Sequence, residues 1–244
     1  MVDDQTKQPE ETIAAAVPGG FARSLYEIFT DPAKVYARID AGLAWWKAFI
    51  VMAVIAMAIS VVITPFRNQA LLPMFENLPP EQLERAQAQM KTFGFVGLIM
   101  VPIMMIVMFL IVAGIAHVAV NIMSPRANFK KMLSLLAFCG LIPMIEQIVG
   151  AAVIAARGIE SVESMADLKM SIGPAALLPD ATGALEALLQ SLSLFQIWYY
   201  VVLVLGIAAI FRMKRAQAVI AAVPVWLIGF LLLLIGGKFQ GGVR

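Results

Sequence analysis

Five long apolar runs, separated by short charged connectors, occupy most of the 244 residues. The cleanest, residues 187–211, holds 25 residues without one charge. A helix of about 20 apolar residues is long enough to cross roughly 30 Å of hydrocarbon. Five such runs cannot all be buried helices of a soluble domain, because too little chain remains to cover them. The fold class expected is therefore all-α, a polytopic membrane protein with five transmembrane helices and short N-terminal amphipathic helices. The composition agrees, since only 14% of residues are charged against about 25% in soluble domains.

The expected organisation follows from where polarity changes. Residues 1–20 are polar and then rich in Ala, Pro and Gly, and read as a disordered tail. Residues 21–44 hold two short amphipathic helices. Phe21, Leu25, Ile28 and Phe29 share one face of the first, with Arg23 and Glu27 elsewhere. Asp31-Pro32 starts the second, where Val35, Tyr36 and Ile39 continue the stripe between Lys34 and Arg38. Such helices lie in the headgroup layer or pack on the bundle. The membrane domain then covers residues 45–237, with spans at about 45–66, 93–123, 132–156, 187–211 and 216–237. Trp45, Trp46 and Lys47 are interfacial anchors and Pro65 closes the first span. The polar stretch after Pro79-Pro80 reads as a short separate helix, and residues 238–244 as a C-terminal tail.

Lysine and arginine collect on one side of this scheme. The N-terminal segment and the second and fourth connectors carry eleven of the 18, and the opposite side carries seven. That margin places the N-terminus in the cytoplasm and the C-terminus outside. No cleavable leader is visible before residue 45, so the first span is expected to act as an uncleaved anchor.

Chemistry is sparse. No aqueous segment exceeds about 44 residues, too short for an ordinary catalytic domain. His117 is the sole histidine and Cys139 the sole cysteine, which leaves no clustered zinc ligands and no intrachain disulfide. All six aspartates lie outside the spans, and no phosphate-cradling glycine motif occurs. The net charge of +2, without basic clusters among aromatics, excludes nucleic acid as a partner. No enzyme activity, metal or cofactor is expected, and the lipid bilayer and other membrane proteins are the expected partners. Glu146 is the one acidic residue inside a span. An ionised carboxylate there costs about 3 kcal/mol on insertion scales, so a neutral, hydrogen-bonded carboxyl costs less. Gln196, Tyr199 and Tyr200 lie at similar depth and make a candidate polar cluster with Glu146 in the outer half of the membrane. His117 and Asn121, near the inner end of the second span, are expected to reach the interface.

The fourth and fifth spans resemble the C-terminal part of the Yip domain family, the Ypt/Rab-interacting membrane proteins and their bacterial relatives. The matching elements are Leu194, Phe195 and Trp198 at the entry of the fourth span, Gly206 within it, and a basic turn leading to Gln217-Ala218. FTDPAKVYARI followed by WWKAF, and Cys139-Gly140 with Pro143, are similar to earlier family segments. The resemblance covers residues 21–237 and implies a five-helix membrane domain of bacterial type, without catalytic residues. The Asp-Leu-Tyr-Gly-Pro segment of eukaryotic members is missing before the first span, which argues against binding of a Rab-type GTPase.

Two functions compete. The first is a non-enzymatic organiser or adaptor for other membrane proteins or lipids, located in a bacterial cytoplasmic membrane. The second is a small transporter or channel subunit working through Glu146. A water-filled cavity reaching Glu146 favours the second, and a dry, closed bundle the first.

Overall fold

Caps, prolines and glycines decide where the helices of this chain start and break. The computed structural model describes residues 20–75, 79–165, 167–168, 173–178 and 181–241. The expected tail at residues 1–20 therefore lies almost wholly outside the described residues, as does the end of the C-terminal tail. Helix α1 (Phe21–Thr30) and helix α2 (Pro32–Asp40) form a tight hairpin. Asp31 stands before Pro32, whose fixed φ suits a first helical turn. Helix α3 (Trp45–Leu71) follows, and α4 (Pro80–Met123) runs for 44 residues. Helices α5 (Phe129–Cys139) and α6 (Leu141–Arg157) make one elbowed unit. A short α7 (Pro174–Leu177) precedes α8 (Gly183–Ser191), α9 (Leu194–Ile210) and α10 (Arg215–Gly241). No strand occurs among the described residues, so the chain is all-α.

Among the described residues four stretches are long and apolar enough to cross a membrane: Trp45–Leu71, Val96–Met123, the elbowed Phe129–Arg157 and Arg215–Ile235. A fifth crossing exists only as the pair α8 and α9, bent by 60° at Leu192–Ser193. The uninterrupted span expected over residues 187–211 is thus broken. Two other expectations change. Pro65 does not close the first span, because α3 continues through it to Leu71. The polar stretch after Pro80 is not a separate helix but the first part of α4, which at 1.5 Å per residue is about 66 Å long. It projects well beyond a hydrocarbon layer of roughly 30 Å.

The α5–α6 elbow has a local cause. Pro143 has no N–H to give the carbonyl of Cys139, the bond that would fuse the two helices. Gly140 fills the gap, and a Cβ there would lie 2.8 Å from Met52 Sδ, so the elbow sits directly on α3. Met132–Cys139 are all buried, which makes α5 the central element of the bundle. Helices α3, α4 and α9 enclose it, and α1 and α2 cover what remains. By contrast α3, α4 and α10 present outward rows of large apolar side chains, including Ile50, Val54, Ile111, Val118, Val219 and Leu227. A water-soluble surface does not carry apolar patches of that extent; a lipid-facing one does.

Candidate functional site

The N-terminal hairpin is built into the bundle. Ile28, Val35 and Ile39 are fully buried among core residues of α5 and α9. The Tyr36 hydroxyl donates to the Val202 carbonyl at 2.6 Å, and burial pushes the phenol pKa up, so it stays a neutral donor. Gly206 permits this approach: a Cβ there would lie 2.4 Å from Leu135 Cδ1 and 2.9 Å from Tyr36 Cε1. Phe21 meets Phe138 edge-on at 6.2 Å, and Phe29 meets Trp198 at 5.8 Å. Leu25 is half-buried against the same core. Trp45 stacks on Phe109 at 5.9 Å, whereas Trp46 is 50% exposed with the Lys47 ammonium 5.5 Å from its ring.

Glu27 and Arg38, expected off the buried face, are buried with side chains only 6% exposed and form an ion pair. Arg38 also donates to the Ser24 hydroxyl at 2.9 Å, and Arg23 donates to Glu27 at 2.8 Å. The Arg38 hydrogen bond, helped by Arg23, holds the Glu27 carboxyl below its ordinary pKa against the opposing effect of burial. Each residue alone reads as a solvated flank; only the hairpin turn, which brings α1 onto α2, shows that they face each other. At the end of α2, Lys131 pairs with Asp40, and Ser134 donates to the Leu43 carbonyl at 2.7 Å. The hairpin is therefore fixed to α5 at its base and to α9 along its length.

The second feature is a cleft of about 340 Å³ between α3, α6, α8, α9 and α10, under the connector that follows α6. Its polar lining is Glu146, Gln147, Gln190, Ser193 and Gln196, and Ile59, Ile63 and Leu233 are among its apolar walls. The break at Leu192–Ser193 explains how these groups converge. Ser193 caps α9, its hydroxyl accepting from the Gln196 amide N–H at 3.2 Å and donating to Glu146 Oε2 at 2.9 Å. The Ser193 carbonyl already accepts from the Ile197 N–H as the first bond of α9, so the hydroxyl is the group left to reach Glu146. The bend directs the positive end of the α9 dipole toward the carboxyl.

Sequence reasoning brought Glu146 and Gln196 together, and both line this cleft. Tyr199 and Tyr200 do not line it. Their rings meet each other at 4.8 Å, and a Cβ at Gly229 of α10 would lie 3.1 Å from the Tyr200 hydroxyl. The partner that was missed is Ser193. Its signal was present, because Ser193-x-x-Gln196 is the spacing of a helix-capping box, obscured by the apolar residues around it. The connector completes the site. Leu168 and Ala175 line the cleft, and Gly173, at φ +104°, approaches so closely that a Cβ would lie 3.4 Å from Ser193 Cα. Beside Leu168, burial would raise the Asp167 carboxyl, but hydrogen bonds from the Ser164 N–H and hydroxyl and the Glu163 N–H outweigh it and hold the pKa low.

Elsewhere, His117 packs edge-on to Phe129 at 5.5 Å near the end of α4, and Asn121 is exposed. Cys139 is fully buried in the core. Among the described residues no group of three His, Cys, Asp or Glu is placed to hold a metal ion.

Residues 26–236 match the family model described as the Yip1 domain. The chain is also similar to a curated protein named "Membrane protein YknW" from Bacillus subtilis (strain 168). The two are 26% identical over 221 residues, which cover 89% of this chain and 90% of the relative. No solved structure matches.

Proposed function

Because the chain belongs to the Yip1 domain family of membrane proteins, we propose that it is a non-enzymatic organiser or adaptor for other membrane proteins or lipids. Its site is a bacterial cytoplasmic membrane, with the N-terminus inside and the C-terminus outside. The observation that carries this reading is the docked hairpin. While its inner face is sealed into α5 and α9, its outer face displays Ala22, Arg23, Tyr26, Thr30, Ala33, Lys34 and Ala37, all exposed. Tyr26 is 68% exposed. A rigid, mixed polar and aromatic face at the edge of a membrane bundle is suited to meeting a partner, since its side chains lose little further freedom on contact. The absence of a Rab-type segment keeps a GTPase out of the proposal, and nothing in this reading calls for a cofactor.

A photoreactive side chain at position 26 tests it in living cells. The organiser reading expects a discrete protein adduct from position 26 that disappears when Ala33→Arg alters the same face, while the same group at lipid-facing Val54 gives none. Identical products from both positions would refute it.

A second reading, a small transporter, is favoured by one observation: the cleft reaches Glu146. Proton flux into proteoliposomes that is lost in a folded Glu146→Gln protein supports it, and absent flux in the parent protein ends it.

A further inference from the structure

We propose that the cleft beneath the α8–α9 break is a binding site for a small organic cation, of the substituted ammonium class, with Glu146 as its counter-charge. The carboxylate, costly in an empty site, is favoured once a cation lies beside it. The inference deepens the transporter reading by naming a ligand class, but it needs only the cleft and not transport.

Charge and shape both lead there. Among the described residues, the one ionisable side chain lining the cleft is the Glu146 carboxyl, with no lysine, arginine or histidine beside it. Glu146 Oε2 takes the Ser193 hydroxyl. Its other oxygen, Oε1, has no hydrogen bond to any described residue. The remaining polar groups are the amides of Gln147, Gln190 and Gln196, each bearing a carbonyl able to face a cation. Gln190 commits its NH₂ to Glu186, donating to Oε1 at 3.2 Å. That arrangement leaves the amide oxygen as the acceptor Gln190 can offer.

The walls suit the apolar part of such a ligand. Ile59 and Ile63 of α3, Ile154 of α6 and Leu233 of α10 line the cleft, and about 340 Å³ lies at the small end of the roughly 300–1,000 Å³ usual for ligand pockets. Substituted ammonium ions combine low hydration with apolar arms, so such a pocket takes them at less desolvation cost than a bare metal ion. The approach carries the same sign. From Arg157 to Ser191 the sequence carries five acidic residues against Arg157 and Lys169. A net negative connector next to a half-buried carboxyl raises the local concentration of cations and repels anions.

The test uses the full chain purified in a non-ionic detergent and tetraethylammonium chloride as the probe. Butanol, sodium butanesulfonate and sodium chloride serve as controls. Saturable binding followed by calorimetry is expected for tetraethylammonium and for none of the three controls. Glu146→Gln, checked for unchanged helical content and elution volume, is expected to weaken it at least tenfold. A second readout does not depend on that variant folding. Tetraethylammonium should protect Glu146 of the parent protein from carbodiimide modification, mapped by peptide mass, and butanol should not. No saturable binding, equal effects of butanol or butanesulfonate, or full affinity in a folded Glu146→Gln protein would each overturn the proposal. Binding without flux in proteoliposomes leaves this site standing and removes the transporter reading. Proton flux without tetraethylammonium binding or protection removes this site alone.

Discussion

Replacing Gly206 with alanine adds a single methyl group where α9 lies closest to α5 and α2. The new Cβ would sit 2.4 Å from Leu135 Cδ1 and 2.9 Å from Tyr36 Cε1. Carbon atoms rest about 3.8 Å apart, so the first contact is too short by roughly 1.4 Å. Leu135 is fully buried within the core cluster, so any shift of its methyl groups presses on other core side chains. Either α9 moves out or Tyr36 yields, and Tyr36 moves only by lengthening its 2.6 Å bond to Val202. Overpacking of this kind costs about 1–3 kcal/mol, and a strained buried hydrogen bond adds on the order of 1 kcal/mol. The better helix propensity of alanine offsets about 1 kcal/mol. The expected net loss is therefore about 1–3 kcal/mol, with the hairpin loosening first. Unfolding in mixed micelles of rising dodecyl sulfate fraction, followed by circular dichroism, measures it. Leu135→Ala should on its own cost about 2–5 kcal/mol through a cavity. Combined with Gly206→Ala it should cost less than the two added together, by about 1 kcal/mol or more, because the new methyl enters the space vacated. Strict additivity, or a Gly206→Ala protein as stable as its parent, would refute this account of the glycine.

Ser193→Ala removes the cap of α9 and the hydrogen bond to Glu146, and is expected to cost about 0.5–2 kcal/mol in the same unfolding assay. Arg38→Met should destabilise the hairpin more than Arg38→Met combined with Glu27→Gln, because the single change leaves a buried carboxylate with the exposed Arg23 as its remaining cation; protease sensitivity near Gly20 reports it. Acid should loosen the same hairpin. The folded pKa of Glu27 lies below the ordinary 4.5, so its contribution is complete above that value and is lost as pH falls through the lowered one. Reporter fusions after Arg215 and at Arg244 should report opposite sides of the membrane, and signals from one side would end the proposed topology.

The spans were legible because lipid imposes a composition that no other environment tolerates over 20 residues. Residues 45–66, 93–123 and 216–237 each fall within or largely within one helix for that reason. Composition says nothing about continuity, and there the sequence misled. Pro65 sits inside a helix, since a proline within a long helix removes one bond without ending it. Ser193 breaks a run that carries no charge, because a capping hydroxyl competes with the backbone ladder however apolar its neighbours are. Glu146 stood out as the one carboxyl in a span, whereas Ser193, its partner, looked like one more small residue. The Glu27–Arg38 pair was illegible for a different reason: 11 positions apart, they meet only through the turn at Asp31, and neither helix alone reveals the other.

The bond from Tyr36 to Val202 joins residues 166 positions apart, and it has a consequence for biosynthesis. The hairpin leaves the ribosome before α3, yet its docking surface on α9 follows about 160 residues later. At about 5–20 residues per second, the two halves of that contact are separated by on the order of 10–30 s of translation. Until α5 is made Ile28, Val35 and Ile39 have no core to join, and until α9 follows their enclosure stays open on one side. Docking of the hairpin is thus completed late, when α9 supplies the far half of a contact whose near half was made long before.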